Sequence, residues 1–300
     1  MFEEIELFGT TVKIKNYFCS ANPNQYEKKD IKLNFYIKIT DACNAKCLFC
    51  SNKEMQDDGH IDFDKLEYVL QYLHAKNLIN RISITGGEPL LNIDTLNKVI
   101  NLIYEVIPAS LVTLNTNGYN IRRVLELDNI NRLEGIHISR HHYDDVINHQ
   151  IFKVDVALTE DIKFVMDKLE NKHLLRLNCL LANNYINNID QVQKYLEYAS
   201  QLNIFRVGFV SLMPINDYSK KHFISFNEVF SNLPSTFLSS GHYYDHQICE
   251  CINGVYIAKN GNLIEYYSRM TKELNCDYAR QLVYTSSNKL TTGFGKDSLI

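Results

Sequence analysis

The residue order predicts an α/β protein, a partial (β/α)6 barrel followed by a small C-terminal α+β appendage. Short β-rich runs alternate with stretches of helical periodicity from residue 33 onward, and strands separated by helices imply right-handed crossovers within a parallel sheet. Six such units can be counted, too few for a closed barrel of eight strands. Cysteines, glycines and polar residues follow directly after the strands, at the edge where the functional loops of such sheets gather.

Residues 33–40 (LNFYIKIT) are β-rich and run into a cysteine loop. Phe63, Leu66, Leu70 and Leu73 recur at helical spacing behind Asp62 or Asp64 as N-cap, which predicts a helix over about 62–75. A strand at 81–85 ends in Gly86-Gly87-Glu88-Pro89. A helix near 92–106, a strand at 111–115, a turn at Gly118, a helix near 119–127 and a strand at 135–139 continue the alternation. Residues 174–180 read as a strand, Ile189, Val192, Leu196 and Ala199 as one helix face, and 204–210 as the sixth strand.

Beyond Pro214 the composition shifts to Ser, Asn, Tyr and His. A helix near 225–232 precedes a hairpin across 254–264, whose Asn260-Gly261 between apolar alternations is a strong turn signal. The chain thus divides into an N-terminal extension (1–33), a core (34–216) and an appendage (217–300). The last dozen residues, rich in Ser, Thr, Gly and Lys, are expected to be mobile.

With 45% hydrophobic and 22% charged residues the chain has an ordinary globular composition. Its 31 basic residues nearly balance 35 acidic ones and form no block, so no nucleic-acid partner is expected. The acidic start Met1-Phe-Glu-Glu is unlike a signal peptide, and no apolar run approaches a membrane span, which predicts no membrane association and a cytoplasmic location. Eight clustered Cys fit metal sites in a reducing compartment better than a disulfide framework.

Cys43, Cys47 and Cys50 lie in the run CNAKCLFC. Three thiolates on one short loop can hold three corners of a 4Fe–4S cluster, and because electron-transfer clusters take four Cys, a triad leaves one iron open. A zinc site closed by Cys19 or His60, or thiols without metal, are the alternatives on these residues alone.

Gly86-Gly87-Glu88-Pro89, Asn115-Thr-Asn117-Gly118, Ser139-Arg140, Asn178 and Phe209-Val-Ser-Leu-Met213-Pro214 follow that loop in order, at strand ends. Together these segments resemble the radical S-adenosylmethionine (radical SAM) superfamily over residues 34 to about 214, with Phe49 at the aromatic position before the last Cys and a core similar to GTP 3′,8-cyclase-type members. The resemblance implies that Cys43, Cys47 and Cys50 ligate a 4Fe–4S cluster whose open iron chelates SAM. Reductive cleavage of SAM would give a 5′-deoxyadenosyl radical that takes a hydrogen from the substrate. It places Gly86, Gly87 and Glu88 at the SAM ammonium, Asn117, Ser139 and Arg140 at the ribose and carboxylate, Asn178 at the ribose, and Met213 at adenine. Read without the family, Arg140 is a solvated charge, Asn178 a structural amide and Met213 a core residue, while His141, His142, Tyr143 and Asp144 form a polar loop within reach of substrate.

Cys249, Cys251 and Cys276 lie in the appendage, and Cys251-x2-Gly254-x6-Gly261 resembles the opening of the auxiliary-cluster (SPASM or twitch) modules of radical SAM enzymes. The pattern departs where Tyr266 stands in place of the next Cys. A second Fe–S cluster, a zinc completed by His246, or reduced bystander thiols remain open there, and Cys19 and Cys179 read as single thiols. The resemblance further implies an electron donor such as flavodoxin or ferredoxin and a peptide or small-molecule substrate, with a ribosomally made peptide favoured. A cyclase-like or nucleotide- or sugar-modifying enzyme is the alternative, although the tail Thr291-Thr-Gly-Phe-Gly-Lys lacks the cyclase's terminal Gly-Gly. A non-catalytic metal-binding scaffold is the alternative of another class.

Overall fold

The computed structural model describes residues 2–15, 33–50, 60–230, 238–246, 251–258, 261–267, 278–279, 281–293 and 297–300. It opens with an antiparallel hairpin, β1 (Phe2–Leu7) and β2 (Thr10–Lys15), within what the sequence shows only as a polar extension. The turn uses Phe8 and Gly9 at φ of 50° and 79°, and Phe8 stacks on Tyr72 at 3.9 Å between ring centroids.

Six strands then run parallel and adjacent in chain order, β3 (Leu33–Lys38), β4 (Ile79–Thr85), β5 (Leu111–Thr116), β6 (Gly135–Ser139), β7 (Leu175–Leu181) and β8 (Arg206–Ser211). The intervening helices are α1 (Phe63–Ala75), α2 (Ile93–Val106), α3 (Asp145–Phe152), α4 (Thr159–Lys168) and α5 (Ile189–Gln201). Asp62 caps α1 by accepting from Lys65 N, as its sequence position predicts. The helix predicted near 119–127 is instead a 3-10 helix, Ile121–Glu126, entered through Asn120 in the left-handed region. Helices α3 and α4 were not read from the sequence; they occupy the long β6–β7 connection, with Asp144 as N-cap of α3.

After α6 (Asp217–Lys221) and α7 (Phe226–Phe230), the C-terminal strands β9 (Leu238–His246), β10 (Cys251–Ala258) and β11 (Leu263–Tyr267) continue the same sheet. The predicted hairpin is the β10–β11 pair, with Gly261 at φ 88° in its turn. β11 lies parallel to β8, while β12 (Gln281–Tyr284), joined to β13 (Leu290–Thr291), lies parallel to β3. The C-terminal region therefore borders both edges of the six-stranded core. The tail expected to be mobile is tied down where described, since Leu299 N donates to Leu290 O at 2.6 Å.

The sheet has two unlike faces. Residues such as Ile82, Ile84, Val112, Leu114, Ile136, Ile138, Leu177, Val207 and Phe209 are fully buried and form one aliphatic core with the helices. The alternate positions, which point to the opposite face, are Ser83, Thr113, Asn115, His137, Ser139, Arg176, Asn178, Arg206 and Gly208.

Candidate active site

The cysteine loop leaves the carboxyl end of β3 and is clasped by the ends of the neighbouring strands. From β4, Gly87 N donates to Thr40 O at 2.7 Å and Glu88 N to Ala42 O at 2.8 Å. These contacts explain the glycine pair: a Cβ on Gly86 would lie 2.5 Å from Thr40 O, and one on Gly87 would overlap Ala42 O. From β5, Asn117 Nδ2 donates to Asn44 Oδ1 at 3.0 Å and approaches Cys43 Sγ at 3.7 Å. At the end of α3, Phe152 O accepts from Lys46 N at 2.9 Å, and past β8 Asn216 Nδ2 donates to Leu48 O at 3.2 Å.

The thiols differ in surroundings. Cys43 is exposed, Cys50 half-buried, and Cys47 buried in an apolar cluster with Ile151, Phe152 and Val156, on which Phe49 also packs. His141 is stacked on Phe152 at 4.8 Å and set edge-on to Phe49 at 5.3 Å. Burial lowers its pKa to about 4, so a neutral ring supports the loop from below. Although Cys43 is exposed as a residue, desolvation of its sulfur beside the neighbouring strand ends raises the thiol pKa, and the nearby Glu88 and Cys50 add to that shift. Metal loading must therefore displace a proton there.

Glu88 is fully buried and caps the 3-10 turn Pro89–Leu91. Its Oε1 accepts from Leu90 N at 2.9 Å and Thr116 Oγ1 at 2.6 Å, and its Oε2 from Asn117 N at 2.6 Å. Burial outweighs these three donors and lifts its pKa to about 7. The carboxylate is thus a latch that carries the β4 end to the β5 end and so sets Asn117 over Cys43.

Ser139 and Asn178 are register partners on β6 and β7, both on the polar face. Asn178 Oδ1 accepts from Arg176 Nε at 2.9 Å. Met213 is half-buried in the β8 exit, three residues before Asn216. Arg140 is not brought to this group. One residue past Ser139, alternation turns it to the helix face, where it is fully buried. There it pairs with Asp145 at 2.7 Å, donates to Ala157 O and Tyr143 O, and lies over the Tyr198 ring at 4.7 Å. The sequence expectation of an Arg140 contact to a SAM carboxylate is corrected accordingly: the guanidinium holds α3, α4 and α5 to β6.

Sequence reasoning missed a further anchor. Asp41, just before the loop, is paired with Lys38 Nζ and accepts from Ser286 Oγ in the turn after β12. Asn288, in the same turn, donates to His60 O at 2.8 Å and accepts from Asp62 N at 2.8 Å. With Ser286 and Asp41 245 residues apart, no local pattern announces the contact. Asn216 did carry a signal, since Asn216 and Ser219 have capping-box spacing and form one.

The donor set fits an iron–sulfur cluster: three soft thiolates, one of them receiving N–H contacts from Ala45 at 3.4 Å and Asn117 at 3.7 Å, the kind of hydrogen bond that tunes cluster sulfurs. Among the described residues no three His, Cys, Asp or Glu side chains are grouped around one ion position. Cys249 and Cys276, like Cys19, lie outside the described residues, as does the side chain of Cys251.

Residues 37–224 match the family profile described as the radical SAM superfamily. A probable GTP 3′,8-cyclase of Sulfolobus acidocaldarius is 28% identical over 60% of this chain and 56% of its own length. The GTP 3′,8-cyclase of Alkaliphilus metalliredigens is 29% identical over 66% of this chain and 62% of its own. The chain thus spans about three-fifths of the curated relatives it matches. Among solved structures, Streptococcus suis SuiB bound to S-adenosylmethionine superposes with a TM-score of 0.58 at 15% identity, covering 89% of this chain and 63% of SuiB. This likeness concerns the fold.

Proposed function

The chain belongs to the radical SAM superfamily, and on that premise we propose that its cysteine loop is the seat of reductive SAM cleavage and that the substrate lies against the polar face of the sheet. The family implies a 4Fe–4S cluster and SAM, which when bound supply an electron and a 5′-deoxyadenosyl radical able to take a hydrogen atom from substrate. Cys43, Cys47 and Cys50 would hold the cluster. Gly86, Gly87 and Asn117, at the ends of β4 and β5 against the loop, would orient the amino-acid part of SAM, and Ser139, Asn178 and Met213, on β6, on β7 and past β8, would receive its nucleoside part. Glu88 holds Asn117 in place, and the packing of Phe49, His141 and Phe152 keeps water from one side of the loop.

The observation that carries this reading is the convergence of three strand ends and the end of α3 on one cysteine loop, through Gly87, Glu88, Asn117, Asn216 and Phe152. A loop without a function at its thiols has no need of such clasping. The test is anaerobic reconstitution with iron, sulfide, dithionite and SAM: 5′-deoxyadenosine should form, and the triple variant Cys43→Ala, Cys47→Ala, Cys50→Ala should form none. Wild-type protein that takes up iron yet yields no 5′-deoxyadenosine would support the scaffold alternative. Iron persisting in the triple variant would support a second cluster on the C-terminal cysteines.

For the substrate, a ribosomally made peptide and a nucleotide are both served by this face. The fold of SuiB, solved also with its precursor peptide SuiA at a TM-score of 0.51, supports the first reading. The curated relatives named GTP 3′,8-cyclase support the second. An electron donor of the flavodoxin or ferredoxin kind completes the reaction.

A further inference from the structure

We infer that Asn44 is a hydrogen-bond donor to the cluster: its side-chain nitrogen donates to sulfur at the Cys43 corner and so helps to set the potential at which the cluster accepts an electron. The inference deepens the proposed function, on which it rests for the identity of the cluster.

Asn44 follows Cys43 in the loop and is half-buried. Its Oδ1 accepts from Asn117 Nδ2 at 3.0 Å. The same Asn117 nitrogen lies 3.7 Å from Cys43 Sγ, so one amide at the end of β5 reaches both the ligand and its neighbour. Which way these amides point is not free. Asn117 Oδ1 accepts from Tyr119 N at 2.8 Å, and a backbone N–H can only donate. That leaves Asn117 Nδ2 as the donor facing the loop, which in turn fixes Asn44 Oδ1 as the atom receiving it. Asn117 is itself held by Glu88, whose Oε2 accepts from Asn117 N at 2.6 Å. Asn44 Nδ2 is therefore turned away from Asn117. There it is buried and has no hydrogen-bond partner among the described residues.

A buried amide nitrogen without an acceptor destabilises the fold. An Asn that served only to tie the loop to β5 would need its oxygen alone. The nitrogen becomes useful when an acceptor arrives beside Cys43, and the acceptor implied by a loop of thiolates is sulfur. Cys43 Sγ already faces two N–H groups, Ala45 N at 3.4 Å and Asn117 Nδ2 at 3.7 Å, and Asn44 adds a donor to the same corner. The donors form a chain, from Tyr119 N to Asn117, from Asn117 to Asn44 and from Asn44 to sulfur, in which each side-chain amide accepts through oxygen and donates through nitrogen. Such chains polarise their members, so Asn44 donates more strongly than an isolated amide. Donors at cluster sulfur favour the reduced, more negative state and raise its potential.

The test is a redox titration of the reconstituted protein without SAM, followed by the electron paramagnetic resonance signal of the reduced cluster. Asn44→Leu removes the donor, and Asn44→Asp keeps the oxygen that Asn117 needs while replacing the nitrogen. At a fixed potential each should lower the ratio of reduced to oxidised cluster about tenfold, a midpoint about 59 mV more negative for one electron. The Asp variant, with its added charge, should fall at least as far as Leu, with iron and sulfide per chain as in wild type. An unchanged midpoint in both variants would overturn the inference. So would a shift that appears only after SAM is added, which would place Asn44 Nδ2 on the cofactor's carboxylate instead. Loss of iron from Asn44→Asp would mark Asn44 as a tie of the loop alone and would also overturn it. Failure of the proposed function is read separately, as a wild-type cluster that titrates yet yields no 5′-deoxyadenosine.

Discussion

Along β7, Leu175, Leu177, Cys179 and Leu181 are buried against the helices, whereas Arg176, Asn178 and Leu180 face the other way. The same contrast recurs on β5 and β6, where Leu114 and Ile136 face the helices and Asn115 and His137 the opposite side. Central strands of a parallel sheet are usually apolar on both faces, because helices cover both. Among the described residues, helices cover one face only. The helix face supplies the burial that stabilises the fold, and the other face is freed to carry groups that packing alone would exclude. The difference teaches where to look for binding: at polar residues with the strand period.

The sharpest way to break this contrast is to cut one residue from each face. Phe209→Ala, buried against Tyr195 and Phe230, should cost about 3–5 kcal/mol in chemical denaturation. Thr113→Ala, which loses one contact with Ser83, should cost only about 1 kcal/mol. Equal losses would mean that both faces are packed core.

The latch at Glu88 joins the two regions and gives a pH signature. Its folded pKa of about 7 lies above the reference value of 4.5. Folding therefore takes up a proton, and the stability tied to this group is fully present below pH 4.5 and lost as pH rises through about 7. Relative to Glu88→Gln, wild type should lose about 3 kcal/mol across that window. A pH-independent difference between the two proteins would sink the assignment.

A smaller effect is expected at the loop's root. Ser286→Ala removes a hydrogen bond to the Asp41 carboxylate and should cost about 2 kcal/mol. It should also lower iron retained after reconstitution, which a purely global loss, matched by another destabilised variant, would not do.

Much of this was legible in the sequence. The six core strands, α1, α2, α5 and the β10–β11 hairpin follow from hydrophobic period and turn residues, as did the cysteine loop from its spacing. What escaped were features set by distant partners. The β1–β2 hairpin leans on Tyr72, α3 and α4 carry short, mixed patterns, and β12 earns its place only beside β3. Arg140 was misjudged because the strand's alternation continues one residue beyond Ser139, sending its guanidinium to the helices. Arg176 gave no motif at all, since its contacts depend on Gly208 and Glu265 in other strands.

The seating of β12 beside β3 has a consequence for biosynthesis. Ser286 leaves the ribosome 245 residues after Asp41, a lag of roughly 10–50 s at ordinary rates of translation. Until then the outer edge of β3 has open backbone groups, and the root of the cysteine loop lacks its last tether. Metal insertion on the nascent chain would meet an unfinished cradle, and a chain cut short before β12 is expected to retain less iron than the full chain.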